Sequence, residues 1–143
     1  IDSCVYLINR EGERLWEFFT GEEISALRCV DLDGDGVMEI VAGSMSGYVY
    51  GLDGEGEELW HCGLEEEINS ISVLGKDSKC LVVGTDGPLI FVLGFDGEVR
   101  SFVDTGNPLK EMKARLVPGG LAIYAVGRAG RVARYDLTGL DKE

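Results

Sequence analysis

A chain of 143 residues has the length of one domain and enough sequence to bury a core of its own. Apolar residues make up 45% and charged residues 27%, a globular composition, and the apolar stretch 89–95 (LIFVLGF) falls far short of the roughly 18 residues of a membrane helix. Twenty-six acidic against 13 basic residues leave a net charge of -13, which disfavours sequence-independent binding to phosphate backbones.

Twenty-one glycines beside three prolines announce tight turns between short strands. In chain order, 4–9 and 13–18 read as a strand pair. Four strands follow at 24–30, 38–43, 47–53 and 57–62, four more at 68–74, 79–84, 88–94 and 98–103, and three at 111–117, 120–127 and 131–137. The segment LEEEINSISVL (64–74) also permits a helix, with its acids in a first turn. The β-branched, Ser-rich run that follows favours a strand.

These segments repeat. YLINREGERLWEFFTGEEI (6–24) lies over YGLDGEGEELWHCGLEEEI (50–68) at an offset of 44, which brings Gly12, Leu15, Trp16 and Ile24 onto Gly56, Leu59, Trp60 and Ile68. Gly97 follows Gly56 by 41, and Gly139 follows Gly97 by 42. Three hairpins share one layout: an apolar run, a glycine (Gly43, Gly84, Gly127), turn residues, a second glycine (Gly47, Gly87, Gly130) and another apolar run. Four short strands per 41–44 residues is the arithmetic of a propeller blade. The expected fold is all-β, a β-propeller of four-stranded antiparallel blades. Strands C and D of blade 1 occupy 1–20, blade 2 occupies 21–63, blade 3 occupies 64–105 and blade 4 occupies 106–143. That is about three and a quarter blades, while closed propellers have at least about four. The expectation is a piece of a larger propeller, with self-association through open blade edges or capping of another chain as alternatives.

The most specific chemistry lies in DLDGDGVME (31–39). Asp31, Asp33 and Asp35 alternate, Gly36 permits a sharp turn, Val37 can offer its carbonyl and Glu39 follows. Hard cations such as calcium take six to eight oxygens from flexible loops of this kind. Position 12 of the loop is Ala42, which excludes an EF-hand. One Ca2+ site is expected; the competing reading is a solvated Asp/Gly turn.

DLDGDGVMEIVAGS resembles the FG-GAP repeats of integrin-like propellers, whose calcium loops join strands A and B. The resemblance implies Asp31, Asp33, Asp35, the Val37 carbonyl and Glu39 as ligands, with Glu39 where that family usually has Asp. GYVYGLDGEGEELW and VYLINREGERLWEF resemble the PQQ-like repeat of quinoproteins and outer-membrane assembly propellers. There Trp16 and Trp60 would be the tryptophans that dock one blade on the next, and blade 3 carries Arg100 instead.

Charge is uneven. Residues 1–104 hold 22 acids and 6 bases, a net of -16; residues 105–143 hold 4 acids and 7 bases, a net of +3. Glu22, Glu23 and Glu65, Glu66, Glu67 fall in matching D-to-A loops. Lys110 and Lys113 lie near the corresponding place of blade 4, and Arg128, Arg131 and Arg134 cluster on its B–C hairpin. Such polarity can orient a protein partner. His61 reads as structural, Tyr48, Tyr50 and Tyr124 as blade packing, and Ser44 and Ser46 lack an activating His or Lys. Cys4, Cys29, Cys62 and Cys80 sit in apolar runs as small buried residues, and free thiols lean toward an intracellular setting. The function read from the residues is a non-catalytic scaffold for protein interaction, not an enzyme, with no nucleic acid and no membrane insertion. The alternative is a fragment of a PQQ-dependent quinoprotein dehydrogenase, against which the sequence has no adjacent cysteine pair.

Overall fold

The computed structural model describes residues 2–75 and 78–138. Ile1, Lys76, Asp77 and 139–143, and with them Gly139 of the fourth repeat, lie outside the described residues. Among the described residues thirteen strands form four sheets, and within each sheet sequence neighbours pair antiparallel. β1 (Cys4–Ile8) and β2 (Arg14–Phe19) form a two-stranded sheet. β3 (Ile24–Val30), β4 (Glu39–Ser44), β5 (Tyr48–Leu52) and β6 (Glu58–Gly63) form a four-stranded one. β7 (Ile68–Leu74), β8 (Cys80–Thr85), β9 (Leu89–Gly94) and β10 (Val99–Asp104) repeat it. β11 (Leu109–Val117), β12 (Gly120–Gly127) and β13 (Val132–Thr138) form three strands. The four sheets are propeller blades. The stretch open to a helix contains β7, because Ile68, Ile71 and Val73 join the core shared with blade 2 and Leu74 joins the core shared with blade 4.

Apolar residues on both faces of the B strands are explained by blades on either side. In β4, Val41 joins the core shared with blade 3, while its neighbour Ala42 joins the core shared with blade 1. In β8, Leu81 faces blade 2 and Val82 faces blade 4. All four are fully buried. Each such valine or leucine contributes about 1.5–3 kcal/mol on leaving water. The outer D strands β2, β6 and β10 share one pattern, exposed residues alternating with half-buried ones.

Inner strands pack side by side, β3 on β7 and β7 on β11. Side chains also stitch them. The Ser25 hydroxyl donates to the Ile68 carbonyl, and one repeat later Asn69 Nδ2 donates to the Leu109 carbonyl at 3.4 Å and to Thr85 O at 2.8 Å. The D strands are locked by tryptophan. Trp16 Nε1 donates to Gly54 O at 3.0 Å, and the indole lies so close to Gly56 that a Cβ there would come within 2.6 Å of the ring. Trp60 covers Gly97 of blade 3 in the same way. Both glycines have φ near +82°, so conformation and crowding each demand glycine.

Three expectations change. β11 starts at Leu109 and not at 111, so Lys110 joins Lys113 within the inner strand instead of standing in the turn before it. Gly127 pairs with Leu109 as Thr85 pairs with Ile68 and Ser44 with Ile24, one place later than Gly43 and Gly84. Cys29 is exposed, because β3 turns it away from the core that takes Ala26 and Val30; Cys80 is buried, Cys4 and Cys62 half-buried. No disulfide joins any of the four among the described residues.

Candidate functional site

The acidic loop joins β3 to β4. Val30 and Leu32 are held in the blade 2–3 core, so the chain enters and leaves Asp31 anchored. Gly34 and Gly36 both take φ of 86°, which folds the loop back on itself. Its carboxylates then cap its own backbone. Asp31 accepts the N–H of Gly34 (2.7 Å) and of Gly36 (3.0 Å), Asp33 that of Asp35 (3.0 Å), and Asp35 that of Val37 (2.7 Å). Glu39 is the buried member, 5% exposed, and its Oε2 accepts the Leu32 N–H at 2.6 Å.

Among the described residues, Asp31, Asp33 and Glu39 bring one carboxylate oxygen each within 4.8 Å of one another. Asp35 turns to Val37 N–H and stands outside this trio, and Val37 is 54% exposed at the loop apex. Oxygens bound at about 2.3–2.6 Å to one ion lie no farther apart than roughly 5 Å, so the trio fits a hard cation. Like charges this close repel unless a cation or solvent intervenes.

The opposite face carries the D-to-A and B–C turns. They are tied to each other by backbone hydrogen bonds: Met45 N–H to Glu23 O and Leu64 N–H to Gly47 O, both 2.8 Å, and Arg128 N–H to Pro108 O at 3.1 Å. Glu22, Glu23, Glu65 and Glu67 are exposed on this face. Glu66 is committed inward, accepting the hydroxyl of fully buried Thr85 at 2.6 Å. Arg128 reaches across to Asp86 in an ion pair between blades 3 and 4.

His61 pairs through Nδ1 with Glu58 and packs edge-on to Tyr48. Tyr50 lies between Phe18 and His61, and burial, with Glu58 nearby, raises its pKa above the ordinary phenol value. Tyr124 lies instead under two guanidinium groups on blade 4. Arg100, at the tryptophan position of blade 3, pairs with Asp96 at 2.6 Å. Ser25 and Asn69 were not singled out from sequence; their shared 44-residue offset was the available signal.

Blades of four antiparallel strands, stacked through apolar faces and locked by a tryptophan on the next blade's turn, define a β-propeller. The chain belongs to the lambda-carrageenase beta-propeller domain family, whose model matches residues 2–116. No curated protein matches it. Among solved structures, it resembles BBS1N, crystallised in complex with ARL6DN, at 17% identity and a TM-score of 0.71, over 96% of this chain and 45% of that one. It resembles Sqt1 of Saccharomyces cerevisiae at 18% identity and a TM-score of 0.69, over 94% and 44% of the two chains. It resembles BamB from Moraxella catarrhalis at 20% identity and a TM-score of 0.64, over 94% and 39%. The chain thus spans less than half the length of these propellers.

Proposed function

We propose that this propeller is a non-catalytic scaffold that binds protein and carries one structural calcium loop. The observation that carries the reading is the face of turns tied by backbone hydrogen bonds, with Glu22, Glu23, Glu65 and Glu67 exposed on it. Rigid blades presenting charged turns suit recognition of a basic protein surface. BBS1N, a propeller solved in a protein complex, supports the same kind of use for this fold. Reversing Glu65 and Glu67 to Lys should abolish capture of a partner that the native chain retains, with the fold intact by circular dichroism. Retention of that partner would argue against this face.

The calcium part of the proposal rests on Asp31, Asp33 and Glu39, as an FG-GAP-like loop would use them. Asp35 and the Val37 carbonyl complete the set inferred from sequence. An ion here would relieve the carboxylate repulsion and hold Leu32 in the core. At about 100 times the dissociation constant, calcium should raise stability by roughly 2.7 kcal/mol. A melting midpoint unmoved by calcium or by chelator would remove the site. The family's name favours one second reading, that such a propeller serves within a carrageenase. Turnover of lambda-carrageenan by the purified chain would support it and overturn the non-catalytic role.

A further inference from the structure

One corner of blade 2 carries polar aromatic groups where blade 3 does not. The register of β5 and β6 sets Tyr48 opposite Gly63 and Tyr50 opposite His61, on one side of the sheet. The corresponding pairs in blade 3 are Leu89 with Asp104 and Phe91 with Phe102. Phe18 of blade 1 meets Tyr50 edge-on, with ring centres 5.4 Å apart. Tyr48 stacks beside Tyr50 at 6.0 Å, and His61 stands 5.8 Å from Tyr48. The cluster thus sits in the seam between blades 1 and 2, and the described residues supply both of its walls.

Tyr50 is half-buried and donates its hydroxyl to the Thr20 carbonyl at 3.3 Å. Tyr48 is 41% exposed, and Gly63 opposite has no side chain to cover it; a Cβ there would lie 3.2 Å from its ring. Carboxylates surround this open ring. Glu58 pairs with His61 beside it. The turn that donates Leu64 N–H to Gly47 O, next to Tyr48, carries the exposed Glu65 and Glu67. Glu65 takes a φ of 62°, the left-handed conformation that the equivalent turns give to Gly21 (85°) and Gly106 (69°). An acidic side chain is held where glycine would fit without strain, as at sites kept for function. The cation of blade 1, Arg14, is engaged elsewhere, with Glu17 and over the Tyr6 ring.

Resting on the reading of the acidic turns as a protein-binding face, we propose that this corner is its anchor and takes an arginine side chain of the bound protein. The guanidinium lies over the Tyr48 ring, with Tyr50 behind it, and Glu65 pairs with its edge. A planar guanidinium suits both contacts, because it stacks on aromatic faces and presents a fork of donors to a carboxylate, whereas an ammonium keeps its water more firmly. Interfaces draw most of their energy from a few such aromatic and arginine contacts ringed by charged groups. The net charge of -13 favours the approach of a basic segment.

The experiment is fluorescence polarisation of labelled tri-arginine and tri-lysine with the whole chain at about 0.15 M salt, where exposed charges are screened beyond about 8 Å. Tri-arginine should bind more tightly than tri-lysine. Tyr48→Leu removes the ring and keeps an apolar side chain. It should weaken tri-arginine about three- to thirtyfold and tri-lysine less, so that the preference shrinks. Tyr48→Phe should bind as the native chain does. Glu65→Gly should raise the melting midpoint, because the turn gains the residue its backbone favours, and still weaken tri-arginine. Equal binding of the two peptides, or tri-arginine unmoved by Tyr48→Leu or by Glu65→Gly, overturns the anchor. If E65K/E67K abolishes binding of both peptides in that case, the acidic face stands without it. A native chain that binds neither peptide overturns the anchor and the acidic face together. A neutral oligosaccharide bound in place of tri-arginine, and lost with Tyr48→Leu, overturns the anchor as well.

Discussion

The two tryptophans occupy equivalent positions 44 residues apart and differ in one atom's surroundings. Trp16 Nε1 has the Gly54 carbonyl as acceptor, whereas Trp60 Nε1 is buried with no acceptor among the described residues. A made hydrogen bond contributes about 1 kcal/mol net, while a buried unmade one costs about 1–3 kcal/mol. Replacing each by Phe should therefore cost more at Trp16 than at Trp60, by about 1 kcal/mol or more in urea unfolding. Equal costs would show that the indole nitrogens play no part in the difference. Gly56→Ala should cost more than the usual turn substitution, because the new methyl group meets both positive φ and the Trp16 ring. The positions of both tryptophans were plain in the repeated L-W ending. Which donor finds an acceptor was not, because that depends on the neighbouring blade's turn.

At the scale of the element, the β3–β4 loop couples charge to packing. Leu32 stands between two aspartates yet is 8% exposed, and Glu39 holds its N–H. Leu32→Ala should destabilise the chain by about 2–5 kcal/mol, as for other buried leucines. Asp33→Asn should weaken calcium binding more than Asp35→Asn, since only Asp33 belongs to the trio, and calorimetric titration would rank them. A reversed order would assign the ion to a different donor set. The strands themselves were legible because alternation, apolar runs and glycines recur with one period. Register was less so: the glycine of β12 marks the position of Thr85 and not of Gly84, since glycine serves both as a turn residue and as a small packing residue. The loop's acids were equally plain, but their division into a trio and an outlier follows from the paired φ of Gly34 and Gly36.

For the whole molecule, burial raises the Cys62 thiol above its ordinary 9.0, and burial with Glu58 raises the Tyr50 phenol above its ordinary 10.0. Both groups hold their protons more tightly when folded. The stability they contribute is fully present below the ordinary values and is lost as pH rises through the folded ones. Chemical unfolding followed across alkaline pH should show stability beginning to fall near pH 9, and Cys62→Ala should delay that onset; an unchanged onset would exclude the thiol as a source. Cys29, exposed on the inner strand, should be alkylated well before Cys80, which is buried.

By itself the order of amino acids determined the blade period, the strand type, the acidic loop and the docking tryptophans, all of which are local patterns repeated at fixed spacing. Only the tertiary structure decided which side of each sheet is covered. Val41 and Tyr124 occupy equivalent places in similar strings of residues, but one is sealed by the next blade and the other lies under two arginines. Burial is a property of what stands opposite, and in a propeller that neighbour comes from a strand some forty residues away.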